Sequence, residues 1–204
     1  MIGIIDYGAG NISSIGNIIK KMGGDYFICK KPEYLNRADK IIIPGVGSFD
    51  YGMDCLVNGG WIHTLNELVI NQNKDILGIC LGMQLMCNKS EEGIQKGLGW
   101  INANVKKFDF SDHRNELKIP HMGWNNIEII KENKILINKN DEKRFYFVHS
   151  YYVECIDSDN IIAITKHGRN FTAAFHKGNI YGVQFHPEKS HKFGMELIKN
   201  FISY

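Results

Sequence analysis

The fold class that this sequence predicts is α/β, with a parallel sheet that continues into antiparallel strands. In the first half of the chain, short and nearly all-apolar segments alternate with helical ones. This alternation is typical of parallel strands that are covered by helices on both faces. After about Gly97 the pattern changes to strand-like segments separated by turn residues, which is typical of antiparallel pairing.

The elements follow in chain order. In the first half the candidate strands are IGIID, DYFIC, KIIIPG and DILGI, and the helical segments are NISSIGNIIKKMG, WIHTLNELVINQ and CLGMQLMCNKS. In the second half the candidate strands are VKKFDF, NNIEII, RFYFVHSYYVEC, IIAITKHG, FTAAFHKG and NIYGVQFH, before a closing helix, HKFGMELIKNFISY. The sequence contains neither a Pro/Ser-rich linker nor an internal repeat, so we expect a single domain over residues 1–204.

Composition excludes several classes of protein. Hydrophobic residues make up 44% of the 204 and charged residues 23%, as in ordinary globular proteins. The net charge of +2 is spread along the chain, so we expect neither a nucleic acid nor a membrane surface as a partner. No apolar run approaches the roughly 20 residues that cross a bilayer. The N-terminus also lacks the pattern of a signal peptide, and we therefore expect a cytoplasmic protein.

The five cysteines are scattered without close pairs, which argues against a disulfide framework. Because no C-x-x-C or H-x-x-x-H spacing occurs, the sequence predicts no metal site, and no motif indicates a cofactor.

One cysteine lies in a pattern that suggests a nucleophile. Gly78, Cys80 and Gly82 form G-x-C-x-G where the strand DILGI passes into a helical segment. Small residues on both sides allow a tight strand-to-helix turn that presents the cysteine at the carboxyl end of the sheet. The start of the helix favours a thiolate, and the N–H of Leu81 is positioned to bind an oxyanion. From this pattern alone, a packed cysteine in a turn is an equal alternative.

A candidate general base follows in GVQFHPEKS, where a strand ends at His186 and Glu188 comes two residues later. Residues two apart in an extended segment point to the same side, so the carboxylate can orient the imidazole toward Cys80. A histidine carried by a strand is more often a packed residue, but the combination with Cys80 favours a Cys–His–Glu triad. A second oxyanion donor is expected from the PGVG loop after KIII, at Val46 or Gly47.

Together, GICLGMQ and GVQFHPEKS resemble the class I (triad) glutamine amidotransferases. DYGAGN, PGVGSF, PHMGWN and YFVHSYY make the chain similar to the glutaminase subunits of imidazole glycerol phosphate synthase within that class. The resemblance covers nearly the whole chain. It implies a three-layer sandwich with a mostly parallel sheet and an antiparallel C-terminal extension. It also implies that the Cys80 thiolate attacks the side-chain amide of L-glutamine, while His186 protonates the departing ammonia.

The resemblance further implies which residues bind the substrate: Gly47, Gln84, Glu92, Ser150 and Tyr151. It implies a heterodimer with a (β/α)₈-barrel cyclase that receives the ammonia and makes imidazole glycerol phosphate for histidine biosynthesis. The expected docking residues are Asn11, Pro120, Met122, Trp124, Tyr146 and Lys189. By the same resemblance, the PGVG loop alternates between two states and couples glutamine hydrolysis to the partner's substrate.

Three alternatives remain open. A paralogue could supply ammonia to a related barrel for the amidination of a surface sugar, and the motifs do not distinguish it. A stand-alone cysteine hydrolase would not need Gln84, Glu92 and PHMGWN together. A degenerate amidotransferase that serves only as a regulatory subunit is disfavoured, because Cys80, His186 and Glu188 are all present.

Overall fold

The computed structural model describes residues 1–111, 117–137 and 142–204, and these residues form a sheet of 12 strands with helices around it. The strands are β1 (Ile2–Ile5), β2 (Tyr26–Cys29), β3 (Lys40–Ile43), β4 (Ile76–Ile79), β5 (Lys89–Ser90), β6 (Ala103–Lys107), β7 (His121–Ile129), β8 (Lys143–His149), β9 (Tyr151–Cys155), β10 (Ile161–His167), β11 (Arg169–Lys177) and β12 (Ile180–Val183). The helices are α1 (Ile12–Lys21), α2 (Phe49–Asn58), α3 (Trp61–Asn66), α4 (Leu81–Leu85) and α5 (His191–Ser203).

The sheet changes from parallel to antiparallel at β12. Its order is β2-β1-β3-β4-β12-β11-β10-β7-β8, with β9, β6 and β5 attached beside β11. Strand β12 pairs in parallel with β4 and antiparallel with β11. The predicted α/β class with an antiparallel continuation is therefore confirmed, although the strands beyond β12 outnumber the parallel ones among the described residues.

Both faces of the inner parallel strands are buried, which confirms the three layers. In β3, Ile41 and Ile43 belong to a core cluster that also contains residues of α2, α3 and α4. Ile42, which points to the opposite face, belongs to a second cluster with residues of α1 and α5. Every residue of β1, β3 and β4 is buried, as expected for strands between two helical layers.

Several predicted elements have different boundaries. RFYFVHSYYVEC forms two strands rather than one, because the chain leaves β8 at Ser150 and β9 pairs with β6 and β11 instead of β7. Strand β7 begins at His121, so it includes PHMGWN as well as NNIEII. The helix predicted over CLGMQLMCNKS ends at Leu85, and Lys89–Ser90 pairs as a strand. A period-two pattern does not reveal where a strand changes partner.

In the ranges that the structure describes, no helix is long and apolar enough to cross a membrane. The same ranges contain no cluster of three or more His, Cys, Asp or Glu side chains suited to a metal ion.

Candidate active site

Cys80 lies at the predicted strand-to-helix turn, between β4 and α4. Its φ of 53° is in the left-handed region, which a residue with a side chain rarely adopts. The N–H of Cys80 donates to the carbonyl of Val183 on β12 at 2.8 Å, which fixes the turn to the sheet. A Cβ at Gly82 would lie 2.0 Å from the carbonyl oxygen of Ile43. Only glycine at position 82 therefore lets the turn approach β3 this closely.

His186 and Glu188 are bonded to each other just beyond the end of β12. The Nδ1 atom of His186 lies 2.8 Å from Oε1 of Glu188, and both side chains are 2% exposed. The Ser190 hydroxyl donates to the carbonyl of His186 at 2.6 Å and accepts the N–H of Tyr146 on β8 at 3.0 Å. These two hydrogen bonds of Ser190 connect the backbone at His186 to β8 and so fix the position from which the imidazole projects.

The other ring nitrogen of His186, Nε2, is buried and has no hydrogen-bond partner within the described ranges. Burial alone would lower the pKa of His186, but the Cys80 sulfur and the Glu188 carboxylate outweigh it and raise that pKa to about 10. The imidazole is therefore protonated at neutral pH.

A cavity of about 360 Å³ lies in front of Cys80 and His186. Every residue predicted to bind glutamine or to form the oxyanion hole lines this cavity. Its lining comprises Val46, Gly47, Cys80, Leu81, Gln84, Glu92, Pro120, Val148, His149, Ser150, Tyr151 and His186. Glu188 lies outside the lining, as expected for a residue that acts through His186.

Two of the predicted glutamine ligands are already held by the protein. The Gln84 side-chain nitrogen donates to the carbonyl of Tyr151 and to Oε1 of Gln184, both at 3.0 Å. Both hydrogens of that amide are thereby used, and its oxygen is the atom left for a ligand. Glu92 accepts the N–H of Phe49 at 2.8 Å through one carboxylate oxygen. Phe49 is the first residue of α2, whose N-terminus favours the negative charge.

The PGVG loop after β3 is attached to the loop after β1. The hydroxyl of Tyr7 donates to the carbonyl of Pro44 at 2.7 Å, and burial raises the pKa of that phenol far above its usual range. A Cβ at Gly10 would lie 2.8 Å from the Pro44 ring. In the PGVG loop, Gly47 has a φ of 105° and Val46 is 46% exposed. The loop thus has a fixed beginning and an exposed tip.

The predicted docking residues lie beside this cavity or at the surface. Asn11, Met122, Trp124 and Lys189 are exposed, Tyr146 is half-buried, and Pro120 lines the cavity itself. The ring of Trp124 contacts that of Tyr146 edge to face, with centroids 6.2 Å apart. The Lys189 ammonium lies 5.7 Å from the centre of the Tyr146 ring. Trp124, Tyr146 and Lys189 therefore form one aromatic and basic patch.

Several residues of the site were not predicted from the sequence, among them Val148 and His149 in the cavity lining, and Gln184 and Tyr7. Gln184 is fully buried between Gln84 and Cys80, and Tyr7 fixes the PGVG loop. A signal for Gln184 was present, because a polar residue inside the apolar strand GVQF must find buried partners. No pattern around Tyr7 indicates its partner.

The chain is similar to known proteins over nearly its whole length. The family model described as "Glutamine amidotransferase class-I" matches residues 4–203. The "Imidazole glycerol phosphate synthase subunit HisH 2" of Methanococcus maripaludis is 55% identical, over 99% of this chain and 98% of that protein. The subunit HisH of Leptospira borgpetersenii is 49% identical over the full length of both chains. In fold, PurLQS from Thermotoga maritima is similar with a TM-score of 0.72 at 18% identity, over 98% of this chain and 94% of that one.

Proposed function

Since this chain belongs to the class I glutamine amidotransferases and is an enzyme with glutaminase activity, we propose that it is the glutaminase subunit of an imidazole glycerol phosphate synthase. The subunit would release ammonia from glutamine for a partner barrel, in histidine biosynthesis. The observation that carries the proposal is the His186–Glu188 bond of 2.8 Å, which leaves Nε2 of His186 free beside the cavity that Cys80 also lines. The proposed pathway is inferred from the names of the two relatives that match over the whole chain.

The proposed reaction begins when the Cys80 thiolate attacks the side-chain amide carbon of glutamine. The N–H of Leu81 and an N–H of the loop at Val46 and Gly47 bind the oxyanion that develops. His186 gives its Nε2 proton to the amide nitrogen, so ammonia leaves and a γ-glutamyl thioester remains on Cys80. A water molecule, deprotonated by His186, hydrolyses the thioester to glutamate. Glu188 keeps the imidazole oriented throughout.

In the proposed complex, the substrate's amino-acid end is bound at the far side of the cavity. Glu92 keeps one carboxylate oxygen beyond its bond to Phe49, and this oxygen suits the α-ammonium group. The free amide oxygen of Gln84 accepts a further N–H of the ligand. Gly47, Ser150 and Tyr151, which also line the cavity, complete the set.

The proposed partner is a (β/α)₈-barrel cyclase in a heterodimer. Pro120 belongs to the cavity lining and to the segment that leads into β7, and the aromatic and basic patch follows directly on β7 and β8. Exposed aromatic and methionine side chains, such as Trp124 and Met122, are typical of a docking surface. A barrel seated there would receive ammonia close to where it forms.

The test is the release of glutamate by the purified chain, alone and with the cyclase barrel of the same organism and its nucleotide substrate. We expect slow release alone and a large rise in the complex. Cys80→Ala should abolish glutamine-dependent synthesis and leave the partner's ammonia-dependent synthesis intact. Glutamate release that survives this substitution would show that Cys80 is not the nucleophile. If the wild-type chain never releases glutamate, a stand-alone cysteine hydrolase becomes the better hypothesis.

A second candidate is a paralogue that serves a barrel for sugar amidination. The residues of the candidate site do not distinguish the two functions, and the relative from Methanococcus maripaludis carries the numeral 2 in its name. The two functions are separated by measuring glutamate release with each type of barrel. Stimulation by the amidating barrel alone would assign the chain to the sugar pathway.

A further inference from the structure

Gln184 lies immediately after β12, two residues before His186, the base of the proposed triad. Its side chain is fully buried, yet it carries a primary amide with donors and an acceptor. Its backbone N–H donates to the carbonyl of Ala173 on β11 at 2.9 Å, so the residue is fixed by the sheet. A buried amide requires partners for both ends, and the identity of these partners determines what it does.

The orientation of this amide follows from its neighbours. The carbonyl of Tyr151 can only accept, so the atom of Gln84 that lies 3.0 Å from it is the nitrogen. The same nitrogen lies 3.0 Å from Gln184, whose facing atom must therefore be its oxygen. The Gln184 nitrogen then points the other way, to the Cys80 sulfur at 3.7 Å. The reverse orientation would place a donor against a donor at Gln84.

We propose that Gln184 is a further catalytic residue, whose side-chain N–H donates to the Cys80 sulfur and stabilises the thiolate that attacks glutamine. This inference rests on the proposed role of Cys80 as the nucleophile. Hydrogen bonds to a charged acceptor are about twice as strong as those between neutral groups, and a buried thiolate has few water molecules to replace them. His186 supplies the proton that leaves with ammonia, whereas Gln184 keeps its own and holds the sulfur throughout.

A donor of this kind has a kinetic signature that packing alone does not produce. It increases the fraction of thiolate at low pH, but it makes each thiolate less nucleophilic. Loss of the donor should therefore move the pH midpoint of Cys80 alkylation upward, while the maximal rate at high pH does not fall. Because a bond to a charged group is worth about a tenfold to hundredfold change in an equilibrium, we expect the midpoint to rise by about one pH unit or more.

One substitution removes the amide without adding a charge. Gln184→Met removes the donor to the Cys80 sulfur, so kcat for glutamine should fall about tenfold or more. It also removes the acceptor of the Gln84 N–H, so KM should rise as well. Phe185→Leu is the matched control, because Phe185 is fully buried next in the chain and stacks on Phe145 rather than on the cavity. Its alkylation midpoint should equal that of the wild type.

The experiment is alkylation by iodoacetamide across a range of pH, followed by mass spectrometry of the peptide that contains Cys80. A raised midpoint in Gln184→Met and not in Phe185→Leu supports the proposal. A wild-type midpoint in Gln184→Met, or an equal shift in Phe185→Leu, overturns it. Failure of the proposed nucleophile would be seen separately, as glutaminase activity that survives Cys80→Ala.

The contact between Gln184 and Cys80 can also be tested in the wild-type chain by NMR. The side-chain amide resonance of Gln184 should shift in an NMR spectrum when Cys80 is alkylated, whereas that of the exposed Gln72 should not. If the Gln184 resonance does not move, its N–H does not contact the sulfur and the proposal is wrong.

Discussion

The imidazole rings of His121 and His149 are joined by a direct contact of 3.0 Å between Nδ1 of the first and Nε2 of the second. The two residues face each other in the register of β7 and β8. Nδ1 of His149 lies 2.7 Å from the carbonyl of Tyr151, so this nitrogen carries the proton and Nε2 accepts from His121. Nε2 of His121 in turn accepts from the Asn125 amide at 3.1 Å. The chain of bonds is consistent only if both rings are neutral.

This pair should make the fold sensitive to acid. Burial lowers the pKa of His149 to about 3 and that of His121 to about 4. Both values lie below the usual 6.5, so the unfolded chain binds protons at these histidines before the folded protein does. The folded protein is therefore fully stable with respect to this pair above pH 6.5, and it loses stability as the pH falls toward 4. At pH 5 the protonation of unfolded His149 alone should cost on the order of 2 kcal/mol. His149→Gln should remove that share, measured as the difference between unfolding free energies in urea at pH 7.5 and pH 5.

The pKa of His186 is raised in the folded protein, so its protonation stabilises the fold more at pH 5 than at pH 7.5. This effect opposes the loss of stability caused by the two buried histidines. For this reason the comparison is made between variants rather than on the wild type alone. The control is His63→Gln, at an exposed position of α3, which should keep the wild-type difference. An unchanged difference in His149→Gln would mean that the buried pair is already protonated.

Glu188→Gln should leave the fold intact and slow the reaction. The amide cannot replace the carboxylate that holds Nδ1 of His186 in its protonated form, so we expect kcat to fall on the order of 10³-fold with little change in KM. The pKa of His186 should also fall, because the carboxylate is one of the groups that raise it. The measurement is the pH profile of glutamate release. Glu67→Gln, at an exposed position directly after α3, is the control and should match the wild type.

Tyr7→Phe tests the attachment of the PGVG loop. The substitution leaves the buried carbonyl of Pro44 without the donor at 2.7 Å, which should cost about 1–3 kcal/mol of unfolding free energy. Because the PGVG loop would no longer be held at Pro44, kcat should fall several-fold, and KM should change less than kcat. Urea unfolding and glutamate release are measured together, with Tyr34→Phe at an exposed position as the control. Stability equal to the wild type would refute the anchoring role.

Trp124→Ala tests the proposed docking surface. Trp124 is 41% exposed, stacks on His191 with ring centres 5.5 Å apart, and contacts Tyr146. As a central aromatic residue of an interface it should contribute about 2 kcal/mol or more, so the Kd for the cyclase barrel should rise about 30-fold. Calorimetric titration measures the Kd. Ile156→Ala, also an exposed apolar residue, should not change it, and an unchanged Kd in Trp124→Ala would place the interface elsewhere.

Much of the fold was predictable because burial leaves a clear pattern in this chain. The all-apolar strands before Gly97 and the helix over the last residues are where the sequence predicts them. The break at Ser150 was not predictable, since the residues on both sides of it have the same alternation. What changes there is the pairing partner, and the pairing depends on residues distant in the sequence.

The same distinction holds for the candidate site. Spacing predicts that His186 and Glu188 can meet, because they are two residues apart, and the structure has them bonded. Gln184 and Cys80 are 104 positions apart, so no local pattern indicates their contact. The contact exists because β4 and β12 are neighbours in the sheet, and only the topology brings their ends together.

The backbone of Cys80 reveals a conflict between folding and activity. A φ of 53° imposes a strain that glycine would not have, and the strain on a residue with a side chain is on the order of 1–3 kcal/mol. For stability alone, glycine would be the better residue at this position. The chain keeps a costlier residue at a point of the turn that faces the cavity, and the proposed reaction gives a reason why selection would accept this cost to the fold.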